Sequence, residues 1–233
     1  MDVSIIIPLF NESESLKELD DWISLSFKYK DLDYEVVYID DGSNDSSWDI
    51  IKSISQNNSN RKGISFIKNY GKSQALRVGF SEAKGKYIAT LDADLQDSPE
   101  EIPLMITKLE ENDLDLISGW KKKRHDSFIT KRIPSYFFNL VARVFSGINL
   151  NDFNCGIKVY RKEVAKSISL YADMHRFIPI LAKNQGFNRI GEHVVKHQAR
   201  KYGKTKFGNE RFIRGFLDII TLWFTEKFGR RPM

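Results

Sequence analysis

The sequence predicts an α/β fold, with a mostly parallel central sheet flanked by helices and an amphipathic C-terminal helix. Three observations predict it. Short apolar runs rich in Ile, Val and Tyr alternate with amphipathic stretches of helical length, the pattern of βαβ units with right-handed crossovers. Polar, chemistry-bearing residues follow the ends of those runs and so gather on one edge of a parallel sheet, where open α/β sheets bind ligands. At 233 residues, 41% hydrophobic and 29% charged, the chain is long enough for one substantial core and too apolar for disorder.

The first run, Val3 to Leu9, stops at Pro8 and Asn11 and reads as a central strand. Leu16, Leu19, Ile23 and Phe27 then share one face of a helix. Tyr34 to Ile39 is the second strand, ending in Asp40-Asp41-Gly42-Ser43, where Gly42 permits a sharp turn and Asp40 orders it. Asp45 or a nearby Ser caps a helix carrying Trp48, Ile51 and Ile54. A third strand is expected over 64–68, followed by Asn69-Tyr-Gly-Lys-Ser73 and a helix with Ala75, Leu76, Gly79 and Ala83.

Tyr87 to Leu91 is the fourth strand, and it delivers two carboxylates, Asp92 and Asp94. A helix start follows, with Ser98 as N-cap, Pro99 in the first turn and Glu101 in the place of a capping-box carboxylate. Two aspartates so close repel each other unless something positive joins them. A hard divalent cation with oxygen ligands suits them, and Gln96 offers a neutral oxygen from the same loop. D-x-D alone is a weak signal; its place after an apolar strand strengthens it.

Further strands are expected over 114–118, over 156–160 (antiparallel to the others) and over 190–197, with helices over 133–145 and 171–185. Two basic loops stand out, Trp120 to His125, continued by Lys131 and Arg132, and Arg200 to Lys206. From Glu210 to Phe228 the pattern is helical and heavily aromatic, with Trp223 and flanking cations, as in helices that lie on membrane surfaces.

Composition narrows the function. Net charge of +5 suggests anionic partners, and the basic loops lack a recognised DNA- or RNA-binding motif, so no nucleic acid is expected. The patterns G-x-x-x-x-G-K-[ST] and G-x-G-x-x-G are absent, which disfavours ATPase and dinucleotide readings. A single cysteine, Cys155, fits a reducing compartment and reads as a buried small residue rather than a nucleophile. Met1-Asp2 leads straight into a strand, so no signal peptide is expected, and no run of eighteen apolar residues occurs.

Six segments together resemble the family 2 glycosyltransferases of the GT-A (Rossmann-like) fold. They are Ile7 to Glu12, Ile39 to Ser43, Asn69 to Ala75, Leu91 to Asp97, Asp152 to Gly156 and Arg200 to Lys206. The likeness is strongest to the branch holding dolichol-phosphate mannosyltransferase and bacterial polyprenyl-phosphate glycosyltransferases. It implies transfer of a sugar from a UDP- or GDP-linked donor to a polyprenyl phosphate (undecaprenyl or dolichyl), with inversion. Pro8, Phe10, Glu12, Ile39 and Asp41 would hold base and ribose, with Asn11, Lys72 and Ala93 in the same nucleotide-sugar set. Asp92 and Asp94 would be catalytic and, with Gln96, bind Mg²⁺ or Mn²⁺. Lys121, Arg132, Arg200 and Lys206 would meet donor and acceptor phosphates.

This sequence departs from the branch at Lys121, where Arg is frequent, and at Cys155, where Ser is frequent. The first departure removes bidentate phosphate contact at that position.

The resemblance divides the chain into a GT-A domain over 1–208 and an interfacial helix with basic tail over 209–233, working on the cytoplasmic face of the membrane. Members of the branch commonly continue into transmembrane helices, so a peripheral enzyme and a chain cut short of a membrane region are both expected; homo-oligomerisation is left open. Two other readings stand beside this one: transfer to a saccharide hydroxyl in cell-surface polysaccharide synthesis, and a non-enzymatic nucleotide-binding regulatory module.

Overall fold

The computed structural model describes residues 1–122 and 133–202, with the side chains of 133–137 excepted, together with Asp218, Thr221 and Phe224. Its elements run β1 (Val3–Leu9), α1 (Leu16–Phe27), β2 (Tyr34–Asp40), α2 (Ser47–Asn57), β3 (Arg61–Ser65), α3 (Lys72–Glu82) and β4 (Tyr87–Thr90). They continue with α4 (Glu101–Glu111), β5 (Leu116–Trp120), α5 (Ile133–Ser146), β6 (Lys158–Arg161), α6 (Lys162–Ser167), a 3₁₀ turn (Met174–Phe177), α7 (Ile178–Asn184) and β7 (Ile190–Val194).

The seven strands form one sheet in the order β3-β2-β1-β4-β6-β5-β7. All neighbours are parallel except β6, which runs antiparallel to both β4 and β5, as the sequence predicts for this strand. Side chains alternate across the pleat, so Ile5 and Ile7 of β1 enter one core layer and Ile6 the other. Helices α1, α2 and α4 cover the first layer through Leu19, Ile23, Ile51, Ile102 and Met105. Helices α3, α5, α6 and α7 cover the second through Leu76, Phe80, Ala142, Val164 and Ile178.

Because both faces are covered, the strands read as continuous apolar runs, which is why the sequence reveals them. The connections from β1 lead to β2 on one side of it, while β4 lies on its other side. The carboxyl ends of β1 and β4 therefore flank a topological switch point.

Four expectations need correction. The third strand occupies Arg61–Ser65, not 64–68, because Arg61 turns inward to Asp20 (Nε to Oδ1, 2.6 Å) and Ser24 (2.7 Å), so a charged residue behaves as core. No capping box forms at α4: the Glu101 carboxylate instead accepts from the Lys196 N–H (3.3 Å) and meets His193 Nε2 (3.1 Å), while the buried Ser98 hydroxyl has no partner among the described residues. The stretch 171–185 breaks into the 3₁₀ turn and α7, since Pro179 sits in the first turn of α7 and supplies no N–H to continue a helix from upstream. The last strand ends at Val194, and His197 pairs across to Asp97 only as an isolated bridge.

The expected helix over 210–228 and the basic tail after it lie outside the described residues except for Asp218, Thr221 and Phe224, each helical. Among the described residues no helix is long and apolar enough to cross a membrane.

Candidate active site

Loops leaving β1, β2, β3 and β4 meet at the switch point. After β1, Asn11 takes a left-handed conformation (φ 52°) held from both sides: its N–H donates to Ser43 Oγ (2.8 Å) and its side-chain oxygen accepts from Asn44 N–H (2.7 Å). The next N–H, of Glu12, donates to Ser47 Oγ (3.0 Å). After β2, Asp40 accepts from Ser43 N–H and Ser65 Oγ and so fixes its own turn. Gly42 (φ +72°) makes that turn against the backbone of Lys68, where a Cβ would lie 2.4 Å from the carbonyl carbon. No larger residue fits.

Asp41 accepts from Tyr70 N–H (2.7 Å) and Gly71 N–H (2.9 Å), tying the β2 end to the start of α3. Burial pushes its carboxyl up, more than those two amides draw it down. Pro8 and Ile39 lie side by side in register in β1 and β2, and both are buried. Phe10 and Glu12 stand half-buried at the rim.

The paired acids each hold a cation. Lys72, the first residue of α3, reaches the Asp92 carboxylate, and Arg200 Nη2 sits 3.0 Å from Asp94 Oδ2 and 3.4 Å from Glu12 Oε1. Burial pushes the Asp92 carboxyl up, but the positive charge of Lys72, helped by Lys121, outweighs it and holds the group down at about 2. Asp92 is thus an anion throughout the neutral range. Behind it Gly156 packs so closely that a Cβ there would fall 2.4 Å from Asp92 Oδ2. Ala93, between the acids, faces the core, which turns both carboxylates away from it. Leu95 closes the loop with a positive φ of 60°, a strained arrangement of the kind that collects at functional sites.

The acid-bearing loop is clasped along its length by the segment after β7. Gln198 N–H donates to the Gln96 carbonyl (2.8 Å), Gln96 Nε2 donates to the Gln198 carbonyl (3.3 Å), and His197 Nδ1 lies 3.4 Å from Asp97 Oδ1. The clasp brings Arg200 to Asp94.

Of the expected site residues, the structure brings together Phe10, Asn11, Glu12, Asp41, Lys72, Asp92, Asp94, Gln96 and Arg200. Lys121 is close by but turned inward, its ammonium 2.8 Å from the buried Asp97. Arg132 and Lys206 lie outside the described residues. Sequence reasoning gave no role to His175, Asp97, Gly156 or Lys158. His175 Nδ1 lies 3.1 Å from Ser73 Oγ, one residue along α3 from Lys72, and burial, with Lys72 and Arg176, holds the imidazole well below its ordinary pKa. Asp97 and Gly156 stand inside the quoted motifs, so position was the available signal.

The donor set fits a hard divalent cation: two carboxylates and an amide oxygen on one loop. No cluster of three or more His, Cys, Asp or Glu side chains suited to a metal occurs among the described residues. Such an ion would therefore draw its remaining ligands from substrate and water, as Mg²⁺ commonly does.

The glycosyl transferase family 2 model matches residues 4–169. The chain is 34% identical, over its full length, to dodecaprenyl-phosphate galacturonate synthase of Rhizobium johnstonii, and spans 69% of that protein. It is 38% identical over 94% of its length to undecaprenyl-phosphate 4-deoxy-4-formamido-L-arabinose transferase of Shewanella sediminis, spanning 66% of it. It thus covers about two thirds of these relatives. In fold it is similar to glucosyl-3-phosphoglycerate synthase from Mycobacterium tuberculosis in complex with UDP, with a TM-score of 0.71 at 16% identity, covering 97% of this chain and 79% of that one. The same enzyme has been crystallised with Mn²⁺, UDP and glucosyl-3-phosphoglycerate (TM-score 0.69, 17% identity, 97% and 79% covered). The mostly parallel sheet with helices on both faces is thus the GT-A architecture, and the chain belongs to the family 2 glycosyltransferases.

Proposed function

We propose that the protein transfers a sugar from a nucleoside-diphosphate donor to a polyprenyl phosphate, with inversion at the anomeric carbon, at the cytoplasmic face of a membrane. The observation that carries this reading is the pairing of Asp92 with Lys72 and of Asp94 with Arg200 at the carboxyl ends of the central strands. Alternating charges there suit a diphosphate and its counter-ion. The names of the relatives, which specify dodecaprenyl and undecaprenyl phosphates, support the acceptor class.

In this reading Asp41, anchored to Tyr70 and Gly71, and the Asn11–Glu12 turn cradle the nucleoside. Asp92, Asp94 and Gln96 hold Mg²⁺ or Mn²⁺, which supplies charge neutralisation for the departing diphosphate. Lys72 and Arg200 orient the phosphates, and the positive end of α3 adds to their field. A lipid phosphate with a second pKa of about 6 is mostly dianionic at neutral pH and attacks without first losing a proton. Cations, rather than a carboxylate base, are what such a nucleophile needs nearby, and Arg200 with Arg132 and Lys206 of the basic loops answers that need.

Incubating the protein with labelled UDP- and GDP-sugars, Mg²⁺ or Mn²⁺, and undecaprenyl or dolichyl phosphate tests the proposal. Sugar should move to the lipid, with the anomeric configuration reversed in the product's NMR spectrum. Product formed only with soluble saccharide acceptors would assign the protein to polysaccharide synthesis instead.

A further inference from the structure

The two cations on the acidic pair have a consequence for the order in which ligands enter. We infer that Lys72 and Arg200 are built-in counter-ions that occupy the metal-binding carboxylates until a nucleoside diphosphate draws them away, so that metal and nucleotide bind together. The inference rests on the reading of Asp92 and Asp94 as metal ligands.

Lys72 contacts Asp92, and Arg200 bridges Asp94 (3.0 Å) and Glu12 (3.4 Å), with all five side chains no more than 30% exposed. A divalent cation approaching either aspartate meets a positive charge already seated on it, in a partly buried place where screening is weak. Both cations are the tips of long side chains that can swing to a new anion without moving the backbone. Lys72 starts from the N-terminus of α3, and Arg200 from the clasp that Gln198 and His197 make along the acid loop. A diphosphate offers the ammonium and guanidinium new oxygens and frees the carboxylates for the metal. Coupling between two ligands is reciprocal, so the factor by which nucleotide tightens metal equals that by which metal tightens nucleotide.

The test is a titration with Mn²⁺, following free ion by electron paramagnetic resonance, with and without UDP or GDP. Wild-type protein should bind Mn²⁺ weakly alone and about tenfold or more tightly with nucleotide, within the usual range of such couplings. Lys72→Met and, separately, Arg200→Gln should bind Mn²⁺ alone about tenfold more tightly than wild type, with the coupling to nucleotide reduced to a similar degree. Thermal unfolding confirms that each variant is folded, and either folded variant suffices. Mn²⁺ affinity unchanged or lowered in these variants, together with its loss in Asp94→Asn, would overturn the counter-ion role and leave the metal site intact. Mn²⁺ binding unchanged in Asp94→Asn would overturn the metal assignment itself.

Discussion

Lys121 extends from just beyond the end of β5 to Asp97, Nζ to Oδ1 2.8 Å, and the carboxylate it meets has no exposed side-chain surface. Burial pushes the Asp97 carboxyl up and the Lys121 ammonium down, but their attraction outweighs both effects and keeps each charged. Removing one partner strands the other charge inside the protein. Asp97→Asn should therefore cost about 3 kcal/mol of stability, read from urea unfolding, and Lys121→Met a similar amount. The double variant should recover most of the loss; a double-variant loss equal to the sum of the two single losses would mean the pair is not coupled.

Gly156 is where the least chemical change should do the most damage to the site. A methyl group in Gly156→Ala would press on Asp92 Oδ2 from 2.4 Å and displace the carboxylate. Misplacement of a reacting group by about 1 Å costs on the order of 100-fold in rate. Turnover should fall by about that factor, with thermal stability reduced far less, as measured on the same preparation. Unchanged turnover would show that Asp92 need not hold its present position.

His175 should make stability depend on pH. Burial first, then the positive charges of Lys72, Arg176 and Lys158, keep the ring neutral, against the pull of Asp92. The unfolded chain takes up a proton at its ordinary pKa of about 6.5, whereas the folded chain does not until far lower. Stability is therefore lost as pH falls below about 6.5, by up to about 1.4 kcal/mol per pH unit from this group. Urea unfolding of wild type and His175→Gln between pH 7 and 5 measures it; parallel pH profiles would sink the prediction.

Asp20 and Arg61 provide a control away from the carboxyl ends of the strands. Asp20 Oδ1 accepts from Arg61 Nε (2.6 Å) and Tyr38 Oη (2.7 Å) inside the layer between α1 and the sheet. Asp20→Ala should destabilise the fold by about 3–5 kcal/mol by leaving the guanidinium buried without its carboxylate. Nucleotide affinity, measured by calorimetry at a temperature where the variant is folded, should stay within about twofold of wild type, because the polar partners of Asp20 are Arg61 and Tyr38 and none of the candidate site residues, and residues without shared partners act independently.

How much of this was legible beforehand depended on what kind of interaction made each feature. The strands of the central sheet announce themselves because both faces are covered and every residue from Val3 to Leu9 is buried. The edge strand β3 does not, since its first residue is an arginine whose interior place depends on Asp20, forty-one positions away. Glu101 has the spacing of a capping box, yet its carboxylate is taken by His193 and Lys196 of a segment packed alongside, and tertiary contact overrides the local option.

Sequence alone determined the alternation of strand and helix and the delivery of Asp92 and Asp94 at a strand end. These follow from periodicity and from neighbours in the chain. Tertiary structure alone decided which charges meet: Lys72 with Asp92, Arg200 with Asp94 and Glu12, and Lys121 with Asp97. The physical reason is that a charge finds its partner through space, across sequence separations of 20 to 188 residues, once the sheet has brought the loops to one edge.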